Sequence, residues 1–218
     1  MTAASEKLPA RVRGAVERKL AAASGCHDFD HTMRVLANAR MLAGELPEAN
    51  REIVELAALL HDIARPEELA SQGKLCHAVE GAKIAEKLLL ELGAPPETAR
   101  AVAAAVRSHR YRDEVKLETL EAKIVFDADK LDSLGAVGLG RAFLFAGHCG
   151  ARLHNTEAEA LASPAYSRED TAYREYLVKL RHLPAAMLTA PGRTEGARRL
   201  RFMRRFFDRL DAEIRKAE

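Results

Sequence analysis

Five apolar residues run directly into an imidazole and a carboxylate in the segment Leu56-Ala57-Ala58-Leu59-Leu60-His61-Asp62. Apolar residues on successive helical turns are typical of a helix that packs into a core. Pro66 follows closely and predicts that this helix ends near Ile63. The helix therefore carries His61 and Asp62 side by side out of the core. A lone His-Asp pair is also common at a hydrogen-bonded helix end, so its meaning depends on the rest of the chain.

The helical pattern extends along the whole chain. Apolar residues recur at three- and four-residue spacings, and alternating strand patterns are nearly absent. The spacing predicts nine helices, with polar loops over Arg65–Lys74 and about Gly147–Ser167. The chain has 218 residues, 48% of them hydrophobic, which is enough for one core. We predict an all-α, single-domain helical bundle over residues 1–218, with a core of about 23–146 and C-terminal helices of about 168–216 packed on it.

Composition excludes several classes of protein. No apolar run approaches the roughly 18 residues that a membrane helix requires, so no membrane partner is expected. The three cysteines are too few and too scattered for a disulfide framework, which favours a reduced, cytoplasmic protein.

The C-terminal segment from Gly192 has nine Lys/Arg and five Asp/Glu, a net charge of +4, whereas the chain as a whole has +2. Its basic residues include Arg198, Arg199, Arg201, Arg204 and Arg205. Aromatic residues make up only 5% of the chain, which argues against a base-stacking surface, so nucleic acid is not the expected partner. The same segment has an apolar stripe of Leu200, Met203, Phe207, Leu210 and Ile214. Such a stripe docks on its own domain or on a twin subunit, which leaves a homodimer open.

Several predicted helices bring a histidine or an acid to an inner surface. His31 lies just inside a helix that Asp28 or Asp30 can cap, with Arg34 one turn further along the same face. Asp28 and the preceding histidine would shape this helix start and contact a neighbouring histidine, or else touch a substrate directly.

Two more histidines and an acid follow the same pattern. His77 begins a helix and shares a face with Glu80, whereas His109 ends an apolar face. Asp129 lies in a helix rich in acids and lysines, beside Lys130. Each residue also has an ordinary interpretation, as a helix-start residue, a hydrogen-bonded core histidine or an ion-pair partner. The ordered set as a whole favours a site.

Two or three imidazoles with two carboxylates make a mixed nitrogen and oxygen site. Such a site suits manganese, iron, nickel, cobalt or zinc better than calcium. A cation held there acidifies bound water and polarises a phosphoryl oxygen.

The ordered set resembles the signature of the HD-domain metal-dependent phosphohydrolases. His31, then His61-Asp62, then Asp129 follow its order of His, His-Asp and Asp. Three longer segments are similar to a small, stand-alone bacterial HD hydrolase family: His27–Val35, Ala58–Ile63 and Phe126–Ala136. The resemblance covers most of the chain.

The resemblance implies an all-helical HD fold and a divalent transition metal, with manganese first and nickel, iron, cobalt and zinc as alternatives. The implied metal ligands are His31, His61, Asp62 and Asp129. His77 and His109 fall where two-metal members place further ligands. The implied reaction is hydrolysis of a phosphate ester or anhydride of a small phosphorylated substrate. That substrate is expected to be a nucleotide, because some relatives are nucleotide pyrophosphohydrolases.

One branch of the superfamily does not fit. The cyclic-dinucleotide phosphodiesterases have two adjacent histidines where this chain reads Ser108-His109-Arg110, and their Gly-Tyr-Pro element is missing.

Catalytic and substrate-binding roles follow from the expected chemistry. Asp62 and Asp129 are the catalytic acids of the ligand set, and Asp129 or a neighbouring acid, Glu80 first, would orient the water or accept a proton. Candidate phosphate-binding cations are Arg34, Lys83, Lys130, Arg65 and Lys74. Each could equally be a surface cation, and the loop that holds the last two could close over substrate or be an ordinary connection.

Three other classes of protein stay open. A di-iron HD-type oxygenase would use His77 and His109 with iron and consume oxygen. A sensor would bind a nucleotide without turnover. A nucleic-acid-binding module would use the basic C-terminal segment and show salt-dependent retention of DNA or RNA.

Overall fold

A computed structural model of the chain describes residues 7–21, 27–72, 74–109 and 118–215. These ranges contain helices and no β-strand, which confirms the all-α prediction. The start of the predicted core, at about 23, and the end of the predicted last helix, at 216, lie outside them. Within these ranges, no helix combines the length and the apolar character needed to cross a membrane.

The chain forms two compact units, Met1–Asp129 and Lys130–Glu218. The helices of the first unit are α1 (Leu8–Leu20), α2 (Phe29–Gly44), α3 (Arg51–Leu60), α4 (Arg65–Ala70), α5 (His77–Glu91), α6 (Pro96–Ser108) and most of α7 (Leu120–Asp132). The second unit contains α8 (Gly135–His148), α9 (Glu157–Ala162), α10 (Ala172–Val178), a 3₁₀ turn (Leu180–His182), α11 (Leu183–Ala186) and α12 (Ala190–Arg215). A single domain over the whole chain stays a prediction.

Helix α3 lies at the centre of the first unit. It packs against α1, α2 and α6, and α5 pairs with α6. Six of its residues are buried: Val54, Leu56, Ala57, Ala58, Leu59 and Leu60. Burial of this apolar face fixes the helix in the core, and its C-cap, His61, is therefore delivered into the middle of the unit.

Helix α2 begins at one of the two predicted caps. Asp28 is the N-cap, and its Oδ1 accepts a hydrogen bond from the backbone N–H of His31 at 2.8 Å. The neighbouring Asp30 is exposed in the first turn. The cap holds the turn that carries His31, so the local structure at this point sets the position of a site residue.

Replacing Asp28 with alanine is expected to lower the free energy of unfolding by about 1 kcal/mol, because it leaves helix N–H groups without their acceptor. Urea unfolding followed by circular dichroism measures this loss. Asp30→Ala is the matched control and should change stability by only a few tenths of a kcal/mol. Equal effects of the two substitutions would contradict the capping role of Asp28.

The predicted loop over Arg65–Lys74 is partly wrong, because Arg65–Ala70 forms α4. Pro66 lies in the first turn, where its missing N–H costs no hydrogen bond, and Glu67 and Glu68 favour the positive end of the helix dipole. Pro66 and the polar residues after it, which indicated a loop, therefore form the first turn of a helix.

The predicted loop over Gly147–Ser167 is also partly wrong. It contains α9, which begins with a capping box in which Thr156 and Glu159 satisfy each other's backbone N–H groups. A helix of six residues is too short to show a repeating apolar pattern in the sequence.

The second unit is built on α8 and α12. The two helices pack against each other, and Phe143 contacts Phe206 and Phe207 with ring centroids 5.7 and 6.4 Å apart. Of the predicted apolar stripe, Met203 and Phe207 are buried within the described chain. This burial supports docking of the stripe on its own chain.

Candidate metal centre

Six predicted ligands converge in the first unit. They are His31 in α2, His61 and Asp62 at the end of α3, His77 at the start of α5, His109 at the end of α6 and Asp129 in α7. Five of them are almost completely buried, and Asp129 is partly exposed. Burying this many polar side chains is costly unless they are paired or hold an ion.

The first half of the cluster surrounds the Nε2 atoms of two histidines. His31 Nε2 lies 3.2 Å from His61 Nε2 and 3.5 Å from Asp129 Oδ1. Asp62 Oδ2 lies 3.6 Å from each of the two nitrogens. His31, His61 and Asp129 form a candidate position for one cation with mixed nitrogen and oxygen ligands, and Asp62 Oδ2 faces both of its histidines.

The second half of the cluster uses the other oxygen of the same aspartate. Asp62 Oδ1 lies 3.3 Å from His77 Nε2 and 3.6 Å from His109 Nε2, and these two nitrogens are 3.2 Å apart. The three residues form a second candidate position. Asp62 thus faces both halves with one oxygen each.

Hydrogen bonds fix which nitrogen of each imidazole carries the proton. His61 Nδ1 donates to the carbonyl of Ala58 at 2.8 Å, and His109 Nδ1 donates to the carbonyl of Val106 at 2.6 Å. His77 Nδ1 donates to Glu68 Oε2 at 2.9 Å. A neutral imidazole has a single N–H, so Nε2 of all three carries a lone pair.

The donor set therefore fits a cation. His77 and His109 point lone pairs at each other across 3.2 Å and cannot form a hydrogen bond in these tautomers. Two ligands about 2.1 Å from one metal at octahedral or tetrahedral angles are about 3.0–3.4 Å apart. The Nε2 separation falls in this range, so a cation between the nitrogens would turn a repulsion into two bonds.

Protonation states at neutral pH agree with cation binding. Burial lowers the pKa of both His61 and His77 to about 4, so both are neutral at pH 7. Burial alone would raise the pKa of Asp62, but this pKa lies well below its ordinary value. Arg65 Nε at 3.0 Å and His27 Nδ1 at 2.9 Å lie within hydrogen-bond distance of its two oxygens. Neutral imidazoles and an ionised carboxylate are the forms that bind metals.

His27 contacts the cluster through the carboxylate of Asp62. Its Nδ1 lies 2.9 Å from Asp62 Oδ2, and its ring meets the edge of His31 at a centroid distance of 5.1 Å. We expected contact with a ligand histidine, and the polar contact described for His27 is with the aspartate instead. Its side chain is partly exposed, so it lies at the rim of the cluster.

Arg65 and Glu68 extend the cluster on α4. Arg65 Nε donates to Asp62 Oδ1 at 3.0 Å, and its Nη1 donates to Glu68 Oε2 at 2.6 Å. The structure therefore places Arg65 against the cluster, on a helix rather than in the predicted loop. Glu68 is absent from our sequence predictions, although a proline followed by two acids could have indicated the helix start that carries it.

The other predicted residues are exposed or partly exposed. Glu80 forms an ion pair with Lys83 at 3.0 Å, and neither has a described contact with the cluster. Lys74 is exposed, and Arg34 and Lys130 are partly exposed. Of the acids predicted to assist catalysis beside Asp62, the structure brings Asp129 to the cluster and leaves Glu80 near the surface.

Three of the five arginines in the basic segment form ion pairs within α12. Arg198 and Arg199 contact Glu195, and Arg204 contacts Asp208. These ion pairs reduce the charge that a nucleic-acid phosphate would meet.

The helical fold and this cluster define the class of a metal-dependent hydrolase with a His-Asp centre. Residues 28–134 match the HD domain. The chain is also 33% identical over 210 residues to YpgQ of Bacillus subtilis, an uncharacterized protein, in a match that spans 94% of this chain and 92% of YpgQ. The chain belongs to the HD-domain family.

Solved structures have the same fold. The crystal structure of Bacillus subtilis YpgQ in complex with ADP matches with a TM-score of 0.71 and 30% identity, over 94% of this chain and 97% of that one. An HD-superfamily hydrolase from Bacillus thuringiensis matches with a TM-score of 0.74 and 28% identity, over 95% and 96% of the two chains. A putative phosphohydrolase of Bacillus subtilis, YueE, is 38% identical over 98 residues, or 39% of this chain and 54% of YueE.

Proposed function

We propose that the protein is a metal-dependent phosphohydrolase that cleaves a phosphate ester or anhydride of a nucleotide. The observation that carries the proposal is the position of Asp62. Its two oxygens face two separate histidine pairs, at 3.3–3.6 Å from their Nε2 atoms. A shared carboxylate between two nitrogen-lined positions suits divalent transition metals, which act on phosphoryl groups as Lewis acids.

The ligand roles follow from the two halves of the cluster. His31, His61, Asp129 and Asp62 Oδ2 would hold one cation, and Asp62 Oδ1, His77 and His109 would hold the other. When bound, the cations supply an acidified water and stabilise charge on phosphoryl oxygens. Asp129 is the one partly exposed acid of the set, so we assign it to orient the attacking water and accept its proton.

Arg65 is the best-placed cation for a substrate phosphate. Two of its nitrogens bond Asp62 and Glu68, and its third, Nη2, has no hydrogen bond to the part of the chain that the structure describes. A guanidinium with one free edge beside a metal centre can donate to a phosphate oxygen. Arg34, one turn beyond His31, is a second candidate.

A nucleotide is the substrate class that the comparisons favour. The relative YpgQ has been crystallised with ADP, and it matches this chain along nearly its full length. We propose manganese as the first metal to test, because mixed imidazole and carboxylate sites accept it alongside nickel, iron, cobalt and zinc.

A panel of metals and substrates tests this function. The metal-free protein is assayed for phosphate or pyrophosphate release from nucleoside mono-, di- and triphosphates with each of the five metals. We expect turnover of at least one nucleotide with manganese, and none after chelation.

The double variant His61→Ala/Asp62→Ala is the control and should lose both bound metal and turnover. Full turnover in this variant would contradict the assigned centre. Oxygen consumption by the iron-loaded protein, without phosphate release, would instead support the oxygenase class.

A further inference from the structure

Helix α4 places a carboxylate behind one ligand histidine. Glu68 Oε2 accepts the Nδ1–H of His77 at 2.9 Å, while His77 Nε2 faces Asp62 Oδ1 at 3.3 Å. The acceptor is therefore on the far side of the imidazole from the candidate metal position. This is the geometry in which an acidic side chain orients a metal-binding histidine.

Arg65 holds Glu68 in place and closes a ring of contacts. It donates hydrogen bonds to Glu68 Oε2 at 2.6 Å and to Asp62 Oδ1 at 3.0 Å. The ring runs from Asp62 through Arg65 and Glu68 to His77 and returns to the same aspartate oxygen. Each of these contacts lies on the Oδ1 half of the cluster.

His77 differs from two other ligand histidines in what fixes its tautomer. Backbone carbonyls of Ala58 and Val106 accept the Nδ1–H of His61 and His109, so no substitution of a side chain removes those acceptors. For His77 the acceptor is the side chain of Glu68. Without it, the single proton of the neutral ring is free to move to Nε2, where it blocks the lone pair that binds metal.

The neighbouring Glu67 gives an internal comparison. It forms an ion pair with Lys19, and both side chains are about one third exposed. Glu68 is almost buried, with 11% of its side chain exposed, and is paired with Arg65 and His77. Burying a carboxylate is costly unless it is paired in this way.

We propose that Glu68, held by Arg65, is a positioning residue that selects the metal-binding tautomer of His77. It thereby strengthens the second cation position, formed by Asp62 Oδ1, His77 and His109, and leaves the first position unchanged. The inference rests on the proposed function only in taking the cluster to hold cations.

Titration of the metal-free protein with Mn²⁺ tests the proposal without any substrate. Calorimetry gives the number and affinity of the binding steps, and electron paramagnetic resonance detects a spin-coupled Mn²⁺ pair bridged by a carboxylate. The wild-type protein should bind two ions and show the coupled signal. Glu68→Ala should weaken the second step by roughly 100-fold and Glu68→Gln by roughly 10-fold, since an amide oxygen still accepts the N–H. The first step should not change, and Glu67→Gln should behave as wild type.

Two results would overturn the proposal. One is a second step of wild-type affinity in Glu68→Ala. The other is a single Mn²⁺ step in the wild-type protein. Both leave the proposed hydrolysis standing, whereas absence of phosphate release with every metal would refute the hydrolysis and leave the titration valid. If circular dichroism shows that Glu68→Ala does not fold, Glu68→Gln decides, and a wild-type second step in it refutes the proposal.

Discussion

Asp62→Asn is expected to lower metal-dependent phosphate release on the order of 1000-fold and to abolish binding at both cation positions. The aspartate offers one charged oxygen to each half of the cluster, at 3.3–3.6 Å from the histidine Nε2 atoms. An amide is neutral and has only one oxygen, and its NH₂ group would occupy the place of the other. Among the cluster residues that the structure describes, Asp62 is the one that faces both positions.

The measurement combines elemental analysis of dialysed protein with the initial rate of phosphate release. Asp30→Asn is a matched control, because Asp30 is an exposed acid in α2, next in sequence to His31. It should retain both metal and rate. Loss of activity in Asp62→Asn with full metal content would show that the carboxylate acts on substrate and does not hold the cations.

Gly138→Ala is expected to destabilise the protein by about 2–4 kcal/mol. A Cβ at this position in α8 would lie 2.2 Å from the carbonyl oxygen of Ser133, and this oxygen belongs to the backbone just before the helix. Relief requires a shift of the connection between α7 and α8. That connection already contains Gly135 at φ 72°, a left-handed conformation that glycine adopts without strain.

Chemical denaturation followed by helical circular dichroism measures the loss. Gly140→Ala is the control in the same helix, because its Cβ would meet no atom within 4 Å. It should stabilise the protein by about 0.5–1 kcal/mol, the usual gain when alanine replaces glycine in a helix. A similar small gain in Gly138→Ala would show that the connection adapts at little cost.

The sequence was informative wherever a residue's role follows from its own helix. The apolar run before His61 predicted the core helix, because helical spacing alone decides which face is buried. The His-Asp pair at its end was expected to leave the core and is instead almost completely buried. Asp28 was one of two predicted caps, because a carboxylate at that place satisfies a free N–H. The HD-domain resemblance then indicated that the residues carried by these helices belong to one site.

The sequence was less informative where a role depends on a contact between helices. Apolar spacing within a helix cannot predict that Nε2 of His77 in α5 lies 3.2 Å from Nε2 of His109 in α6. Only the resemblance suggested a shared position for them. Glu68 was missed because α4 is too short for apolar periodicity, and its partner His77 lies on another helix. Glu80 was favoured by its spacing from His77, but α5 directs it toward Lys83.

The sharing of Asp62 has a thermodynamic consequence for the proposed centre. Because one carboxylate contributes to both positions, a cation in either position changes the charge available to the other. Linkage then requires reciprocity: whatever factor the first ion applies to the affinity for the second, the second applies to the first. Metal loading of this protein is therefore a coupled equilibrium, in which occupancy measured at one metal concentration does not report two independent affinities.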